Sequence, residues 1–341
     1  MTATPVSNLE SEHLPDPTGH SDDVDPAKIA GKSPTKLAFE RFRKDKLSMV
    51  SFIVVALYVL AAVTAPFLVK FGVLDPRSFH NVGSDSLLNE FTLPKGRFGG
   101  ISWHHPLGVE PGTGRDVLSR VWLGTTLSLT LSLLASLLAM IIGTVLGIIA
   151  GFTRGWVDGL IGRLIDLTLS FPQTLMLLAL SAPMYAFITQ SLHVPAGDVG
   201  WATYVVIFLA LFGWPSIARL IRGQVLSVRE REFVDAAKLF GASKARMYFK
   251  EILPNLWAPL LVSFTLTLPA YISAEAALSY LGVSIKPPTP TLGNVLRNSL
   301  DYAQFDFVFF FAPAFAIALI VVCFNLLGDG MRDALDPKTN R

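Results

Sequence analysis

Long stretches without a charged residue are the dominant pattern of this chain. They cover residues 47–69, 121–153, 167–197, 199–218, 252–274 and 307–328. Each is at least as long as the roughly 20 mostly apolar residues that a helix needs to cross a bilayer. The pattern therefore predicts an all-α polytopic membrane protein with six transmembrane helices, the first spanning 47–69 and the other five lying in a core of residues 121–338.

The third transmembrane helix contains Pro172 and is predicted to begin near Ile161. That start would place Arg163 and Asp166 in its first turns. Proline does not exclude a transmembrane helix, because neighbouring helices can satisfy the backbone groups that it frees. We therefore expect one helix that passes through Pro172.

Basic residues are unevenly divided between the short connections of these helices. One side holds ten: Arg154, Arg163, Arg219, Arg222, Arg229, Arg231, Lys238, Lys244, Arg246 and Lys250. The other side holds two, Lys286 and Arg297. Basic residues favour the cytoplasmic side of short loops. Both termini are therefore predicted to be cytoplasmic, and the long connection 70–120 is predicted to be external.

The chain before the first apolar run has two parts of different charge. Residues 1–25 carry six acidic residues and no Lys or Arg, and the tail 1–35 is predicted to be disordered. Residues 36–46 carry five Lys or Arg together with Phe39 and Phe42. This favours an interfacial helix on the anionic inner leaflet, and a plain basic flank is the alternative.

Composition excludes several classes of protein. Charged residues make up 16% of the chain and the mean hydropathy is +0.50, which argues against a soluble domain. The net charge of +2 indicates no nucleic-acid partner. The single cysteine, Cys323, excludes a disulfide framework within the chain and a cysteine-based metal cluster.

Two short patterns imitate sites without the rest of their signatures. Residues 31–33, Gly-Lys-Ser, end like a phosphate-binding loop, but Pro26 stands where that loop needs glycine. His104, His105 and Glu110 are close in sequence, but adjacent histidine side chains diverge, which favours ordinary loop polarity over a metal site. We therefore expect no catalytic residue, no metal and no cofactor on this chain.

The segment 228–254 has the strongest local pattern. Four of its residues recur at helical spacing on one face: Phe233, Ala236, Ala237 and Phe240. Gly241 suits the left-handed conformation that ends a helix, and Ser243 can cap the next one. The pattern predicts a helix, a tight turn and a second helix that together form a docking element, and an amphipathic interfacial loop is the alternative.

Glu275 lies just past the fifth charge-free run, at the predicted outer end of that helix. Ionisable residues in membrane segments are costly and usually face a cavity. Glu275 is therefore predicted either to face a cavity or to lie at the headgroup boundary, and these alternatives stay open.

Several of these residues resemble a known family. Asp235-Ala236-Ala237, Gly241 and Leu253-Pro254 resemble the EAA loop of ABC importer permeases, with Asp where Glu is usual. Further matches are HPLG and GRDVLSR within 105–120, LSYLG and PPTPTLGN within 278–294, and NLLGDGMRDALDP at 325–337. Residues 35–338 are thereby identified as similar to the C-type subunit of the dipeptide/oligopeptide/nickel permease family. Val109-Glu110 depart from the Thr-Asp usual there.

The resemblance implies a type I ABC importer permease fold in the plasma membrane of a prokaryote. It also implies four kinds of partner: a second permease subunit, two cytoplasmic ATPases that bind ATP and Mg, an extracytoplasmic peptide-binding protein, and the lipid bilayer. The EAA loop would couple to the ATPases through Phe233, Asp235, Ala236, Ala237, Phe240, Gly241, Leu253 and Pro254. Glu275 becomes a candidate for the translocation path.

Three alternatives were weighed against a peptide permease. A membrane enzyme would need a catalytic cluster at membrane depth, and a self-contained secondary transporter would show internal repeats; the sequence displays neither. A nickel permease of the same family remains open as an alternative.

The long outer connection 71–105 exceeds the typical loop of about 4–6 residues, and we expect it to receive the binding protein or to cap the mouth of the pathway.

Overall fold

The computed structural model describes residues 34–81 and 86–335, and helices form most of them. The helices are α1 (Pro34–Lys44), α2 (Lys46–Lys70), α3 (Val117–Phe152), α4 (Trp156–Ser170), α5 (Gln173–Ala186), α6 (Asp198–Val228), α7 (Glu232–Leu239), α8 (Lys244–Arg246), α9 (Trp257–Tyr280), α10 (Leu292–Leu300) and α11 (Phe307–Leu335). A π-helical turn, Phe187–Ser191, extends α5. A second π-helical turn, Met247–Ile252, and a 3₁₀ turn, Leu253–Leu256, join α8 to α9.

Six helical stretches in the described part of the chain are long and apolar enough to cross a membrane. They are Lys46–Lys70, Val117–Phe152, Gln173–Ser191, Asp198–Val228, Lys244–Tyr280 and Phe307–Leu335. The predicted six-helix, all-α architecture is confirmed. Several helices are longer than the charge-free runs that predicted them. Helix α6, for example, continues past Ala218 to Val228. The sequence predicts disorder for the tail 1–35. Residues 1–33 lie outside the described residues, whereas residues 34 and 35 are the first two residues of α1.

The third span differs from the prediction. The chain breaks at Phe171-Pro172, so α4 and α5 are separate helices, and Arg163 and Asp166 lie in α4 rather than in the span. Phe171 is extended (φ −86°, ψ 133°), because proline disfavours the helical conformation of the residue before it. The span itself begins at Gln173.

Ion pairs attach α4 to α6. Arg222 donates two hydrogen bonds to Asp158, at 2.6 and 2.9 Å, and Arg219 donates one to Asp166 at 2.6 Å. The hydrogen bonds from Arg222 hold the pKa of Asp158 below its ordinary value. Asp166, which the sequence predicts to lie in a transmembrane helix, therefore belongs to a pair that connects two neighbouring helices.

The two longest helices, α3 and α6, pack side by side and run parallel, since Gly143 faces Ile217 and Gly151 faces Val225. Gly143, Gly147 and Gly151, spaced by four residues, form one stripe on α3. A Cβ atom at Gly147 would lie 2.8 Å from the carbonyl oxygen of Ala218 and 2.9 Å from Cβ of Ile221. Glycine at this spacing lets helix backbones approach closely in a membrane, where packing replaces the hydrophobic effect as the force between helices.

The core lies around α6. Tyr204, Phe208 and Leu209 of this helix are buried among residues of α3, α5 and α9. The hydroxyl of Tyr204 donates to the carbonyl of Leu177 at 2.6 Å, and that of Tyr271 donates to the carbonyl of Leu209 at 3.0 Å. The two phenols thus bury their rings without leaving a polar group unpaired.

The bundle has two ends that differ in the elements they carry. One end of the bundle, called the loop end, carries residues 71–81 and 86–116, α10 and the start of α3. The other, called the segment end, carries α1, α4 and residues 229–256. The basic stretch 36–46 is largely the helix α1, followed by Asp45, which caps α2 by accepting from the backbone N–H groups of Leu47 and Ser48. Phe42 of α1 packs against the cluster formed by α2, α9 and α11.

The glycine stripe gives a first prediction. Gly147→Ala places a methyl group against the backbone of α6 and should lower the free energy of unfolding by about 1–3 kcal/mol, the usual cost of overpacking. The measurement is the thermal unfolding midpoint of the detergent-solubilised chain. Gly223→Ala on α6 is the matched control, because nothing lies within 4 Å of its Cβ position. Equal midpoints for both variants would contradict the close contact.

Candidate functional site

The segment 228–254 has the predicted helix–turn–helix form. Helix α7 ends in a turn in which Gly241 N–H donates to Lys238 O and Ala242 N–H donates to Ala237 O, both at 3.0 Å. Gly241 has φ +74°, the left-handed conformation expected of it. Ser243 Oγ accepts from the backbone N–H of Arg246 at 3.3 Å and so caps α8. Gly241 and Ser243 thus have the conformation and the capping hydrogen bond predicted for them.

One face of α7 is anchored and the other is uncovered. Val234 is fully buried against the turn Met247–Ile252. Phe233 and Ala236 of the predicted face are exposed, Ala237 is half-buried, and Phe240 is 90% exposed. Leu239, which the helical spacing did not single out, is 89% exposed. Among the residues that the structure describes, none covers this surface of aromatic and aliphatic side chains.

Several contacts fasten the segment to the end of α3. Arg229 donates to the carbonyl of Gly151 at 2.6 Å, and Arg154 donates to Glu230 at 2.9 Å. The ring of Tyr248 packs edge-on against Phe152, with centroids 5.3 Å apart. Displacement of α7 would therefore also displace α3.

The remaining residues of the predicted coupling set have different surroundings. Asp235 is exposed and pairs with Lys238 one turn later, at 2.9 Å. Leu253 is half-buried in the 3₁₀ turn and packs against the main core, whereas Pro254 is exposed. The structure therefore brings the α7 residues together on one surface, while Leu253 and Pro254 belong to the start of the following span.

Glu275 has surroundings that neither sequence interpretation foresaw. Its side chain is 0% exposed. Its carboxylate accepts hydrogen bonds from the hydroxyls of Ser128 and Ser279, both at 2.8 Å, and of Ser284 at 3.2 Å. Ser128 also accepts from the backbone N–H of Leu292 at 3.1 Å. Glu275 thus joins α3, α9 and α10, and in this conformation it faces neither a cavity nor the headgroups.

Close helix packing explains why Glu275 is enclosed. A Cβ at Gly293 of α10 would lie 2.6 Å from Cα of Ala276, and one at Gly124 of α3 would lie 3.0 Å from the carbonyl carbon of Thr291. These two glycines let α10 press onto α3 and α9 around the carboxylate. That Glu275 belongs to the translocation path stays a prediction, and in this conformation its carboxylate is enclosed by the protein.

A buried ion cluster at the loop end also escaped the sequence analysis. Glu110 accepts from Arg115 Nε at 2.7 Å, and Arg120 Nε lies 3.4 Å from the same oxygen. Arg120 donates to the carbonyl of Pro288 at 3.2 Å. The signal available in the sequence was Arg120, a charged residue directly before the charge-free run 121–153. The cluster holds the part of the connection around Glu110 and Arg115 on α3 and explains the acid at position 110.

The histidines of this connection are not assembled with Glu110. His105 Nδ1 lies 3.0 Å from Asp116, which caps α3 by accepting from the backbone N–H of Ser119 at 2.7 Å. Across residues 34–81 and 86–335, no group of three or more His, Cys, Asp or Glu side chains is placed to hold a metal ion.

The matches to known families now follow. Residues 143–341 match the family described as "Binding-protein-dependent transport system inner membrane component". Residues 33–81 match "N-terminal TM domain of oligopeptide transport permease C". The chain belongs to this permease family. The first match covers more than half of the chain, including the 228–254 segment and the last four spans.

Three relatives of this permease align over nearly its whole length. The dipeptide transport system permease protein DppC of Alkalihalophilus pseudofirmus is 35% identical over 90% of both chains. The oligopeptide transport system permease protein OppC of Bacillus subtilis is 33% identical over 93% of this permease and 94% of the relative. The glutathione transport system permease protein GsiD of Salmonella typhimurium is 35% identical over 90% and 91%.

The hydroxyl cluster gives a second prediction. Glu275→Gln replaces an acceptor oxygen by an amide group that only donates, so one buried hydroxyl loses its acceptor. We expect the free energy of unfolding to fall by about 1–3 kcal/mol, measured as thermal unfolding at low and high NaCl. Because buried groups are little screened, the loss should not depend on salt. The exposed carboxylate of Glu232 supplies the control, Glu232→Gln, which should leave the midpoint unchanged.

A different outcome would restore the predicted path role. If Glu275→Gln leaves unfolding unchanged but slows uptake, and more so at low salt, the carboxylate acts on a passing solute rather than on the packing of α3, α9 and α10.

Proposed function

We propose that this permease forms half of the translocation pathway of an ATP-driven importer of di- or oligopeptides, and that α7 docks on a cytoplasmic ATPase. A second permease subunit would form the other half, and ATP and Mg would bind to the ATPases. The uncovered face of α7 carries the proposal, because a soluble partner is the natural cover for exposed Leu239 and Phe240.

The substrate class rests on the relatives. The three aligned proteins are named for transport of dipeptides, oligopeptides and glutathione. This supports a peptide substrate over the nickel alternative for the present chain. The permease itself would contribute a path and no covalent chemistry.

The coupling mechanism follows from how α7 is attached. A docked ATPase that moves on binding ATP would carry α7 with it, and the contacts of Arg229 and Tyr248 would pass that movement to α3. Asp235, exposed beside Ala236, adds a carboxylate that suits a basic groove. Rigid rocking of helix bundles would then alternate access between the two sides.

The loop end is proposed to face the extracytoplasmic binding protein. Residues 86–116 are anchored by the Glu110 cluster, yet they expose Phe91, Phe98 and Trp103. Exposed aromatic side chains on an anchored loop are suited to a protein contact. Residues 82–85 lie outside the described part of this loop.

Docking by α7 gives the third prediction. Phe240→Asp should leave thermal unfolding unchanged, because the side chain is 90% exposed. It should weaken capture of the ATPase pair at least about tenfold, as expected for an aromatic anchor of an interface. Capture is measured by co-purification with the ATPases and by ATP hydrolysis in proteoliposomes.

The matched control is Phe91→Asp, which alters an aromatic side chain that is 80% exposed at the loop end. It should retain full capture. If Phe240→Asp and Phe91→Asp bind the ATPases equally well, α7 is not the coupling element.

Sidedness gives the fourth prediction. Cys323 is buried, so a Cys323→Ser background allows single cysteines to be introduced at exposed positions. In intact cells a membrane-impermeant maleimide should label Trp103→Cys and not Leu239→Cys. Labelling of Leu239→Cys without lysis would reverse the proposed orientation and remove α7 from any cytoplasmic partner.

A further inference from the structure

An apolar groove opens at the segment end between α1 and the rest of the bundle. Its walls include Phe39 and Phe42 of α1, Phe52 of α2, and Leu327 and Met331 of α11. Its volume of about 460 Å³ lies within the range of roughly 300–1,000 Å³ that is usual for small-molecule sites. The α11 wall runs from Leu327 to Leu335, which is about 12 Å along the helix axis. The groove is therefore long and apolar.

One charged side chain lines this groove. Arg43 follows Phe39 by one helical turn, so both project from the same face of α1. Within residues 34–81 and 86–335, no carboxylate pairs with Arg43. Neighbouring Lys44 is exposed and does not line the groove. An elongated apolar ligand that ends in an anionic group matches this arrangement of walls and charge.

We propose that the groove binds one acyl chain of an anionic phospholipid, with Arg43 in contact with the phosphate. The leaflet rests on the proposed function, since α1 lies at the end assigned to the cytoplasm, where anionic lipids attract basic segments. The acidic tail 1–25 would also suit the charge of α1, but its long apolar side chains are few and scattered. The apolar walls therefore favour lipid.

A bound lipid would have a structural consequence. Helix α1 contacts the bundle through Phe42, whereas Phe39 is exposed at the open side of the groove. An acyl chain would cover Phe39 and fill the space between α1 and the end of α11. The lipid would thus hold the amphipathic helix against the last transmembrane helix.

Photo-crosslinking tests the site on the full-length chain. The chain is placed in phosphatidylcholine nanodiscs that contain phosphatidylglycerol with a diazirine on its acyl chain, and crosslinked peptides are mapped by mass spectrometry. Adducts are expected in α1 and in residues 327–335. Arg43→Gln should reduce them about fivefold, the effect of one lost basic contact with an anionic lipid. Ala38→Trp, which fills the groove, should reduce them by a similar factor.

Two matched controls separate a site from general attraction. Lys44→Gln removes the same charge one residue away, and Leu37→Trp places the same tryptophan side chain outside the groove. Both should label like the unaltered chain. A thermal unfolding midpoint equal to that of the unaltered chain confirms that Ala38→Trp is folded, and Arg43→Gln tests the site independently of it.

Three results would overturn the proposal. They are equal labelling by a diazirine phosphatidylcholine, equal losses in Arg43→Gln and Lys44→Gln, and a several-fold gain in labelling when residues 1–33 are deleted. The last result would make the tail the occupant. No ATPase or transported solute takes part, so failure here is distinguishable from failure of the proposed function.

Discussion

The contact between α3 and α6 is the interaction on which the rest of the structure depends. In lipid, apolar helices gain nothing from leaving water, so their association relies on close packing. Gly143, Gly147 and Gly151 provide it by letting the backbone of α6 lie against α3. Helix α6 then continues past the membrane-length run and carries the 229–256 segment with it. The position of α7 is thus determined at this helix pair.

Helix α3 also links the two ends of the bundle. At the loop end it contributes Ser128 to the hydroxyl cluster of Glu275 and Arg120 to the cluster of Glu110. At the segment end Gly151 accepts a hydrogen bond from Arg229, beside α7. Buried polar networks are rigid when their members are paired. A displacement of α7 would therefore reach the loop end as movement of a whole helix.

The two ends differ in how their charges are placed. Glu110, Arg115 and Glu275 are buried, so separating them from their partners would be costly. At the segment end the pairs Arg154–Glu230 and Arg219–Asp166 are largely exposed, and exposed pairs contribute only about 0–1 kcal/mol. The segment end is therefore the end at which small rearrangements cost least, which suits a surface that binds and releases a partner.

Local pattern determined much of this protein. Charge-free runs predict the six spans because a bilayer imposes a length on any helix that crosses it. Gly241 and Ser243 predict the turn beside α7 because backbone conformation and capping depend on neighbouring residues. That the segment couples to an ATPase remains a proposal, since its partner is a different chain.

Tertiary structure decided the features that depend on residues distant in sequence. Nothing near Glu275 in the chain reveals that Ser128 and α10 enclose it. The acid at position 110 gained a role only when Arg120 and Pro288 were brought beside it. Pro172 could have been accommodated within a span, and only the structure shows that the helix breaks there and that α4 lies beside α6. The sequence alone determines where helices can form, whereas their mutual packing determines which polar residues are buried together.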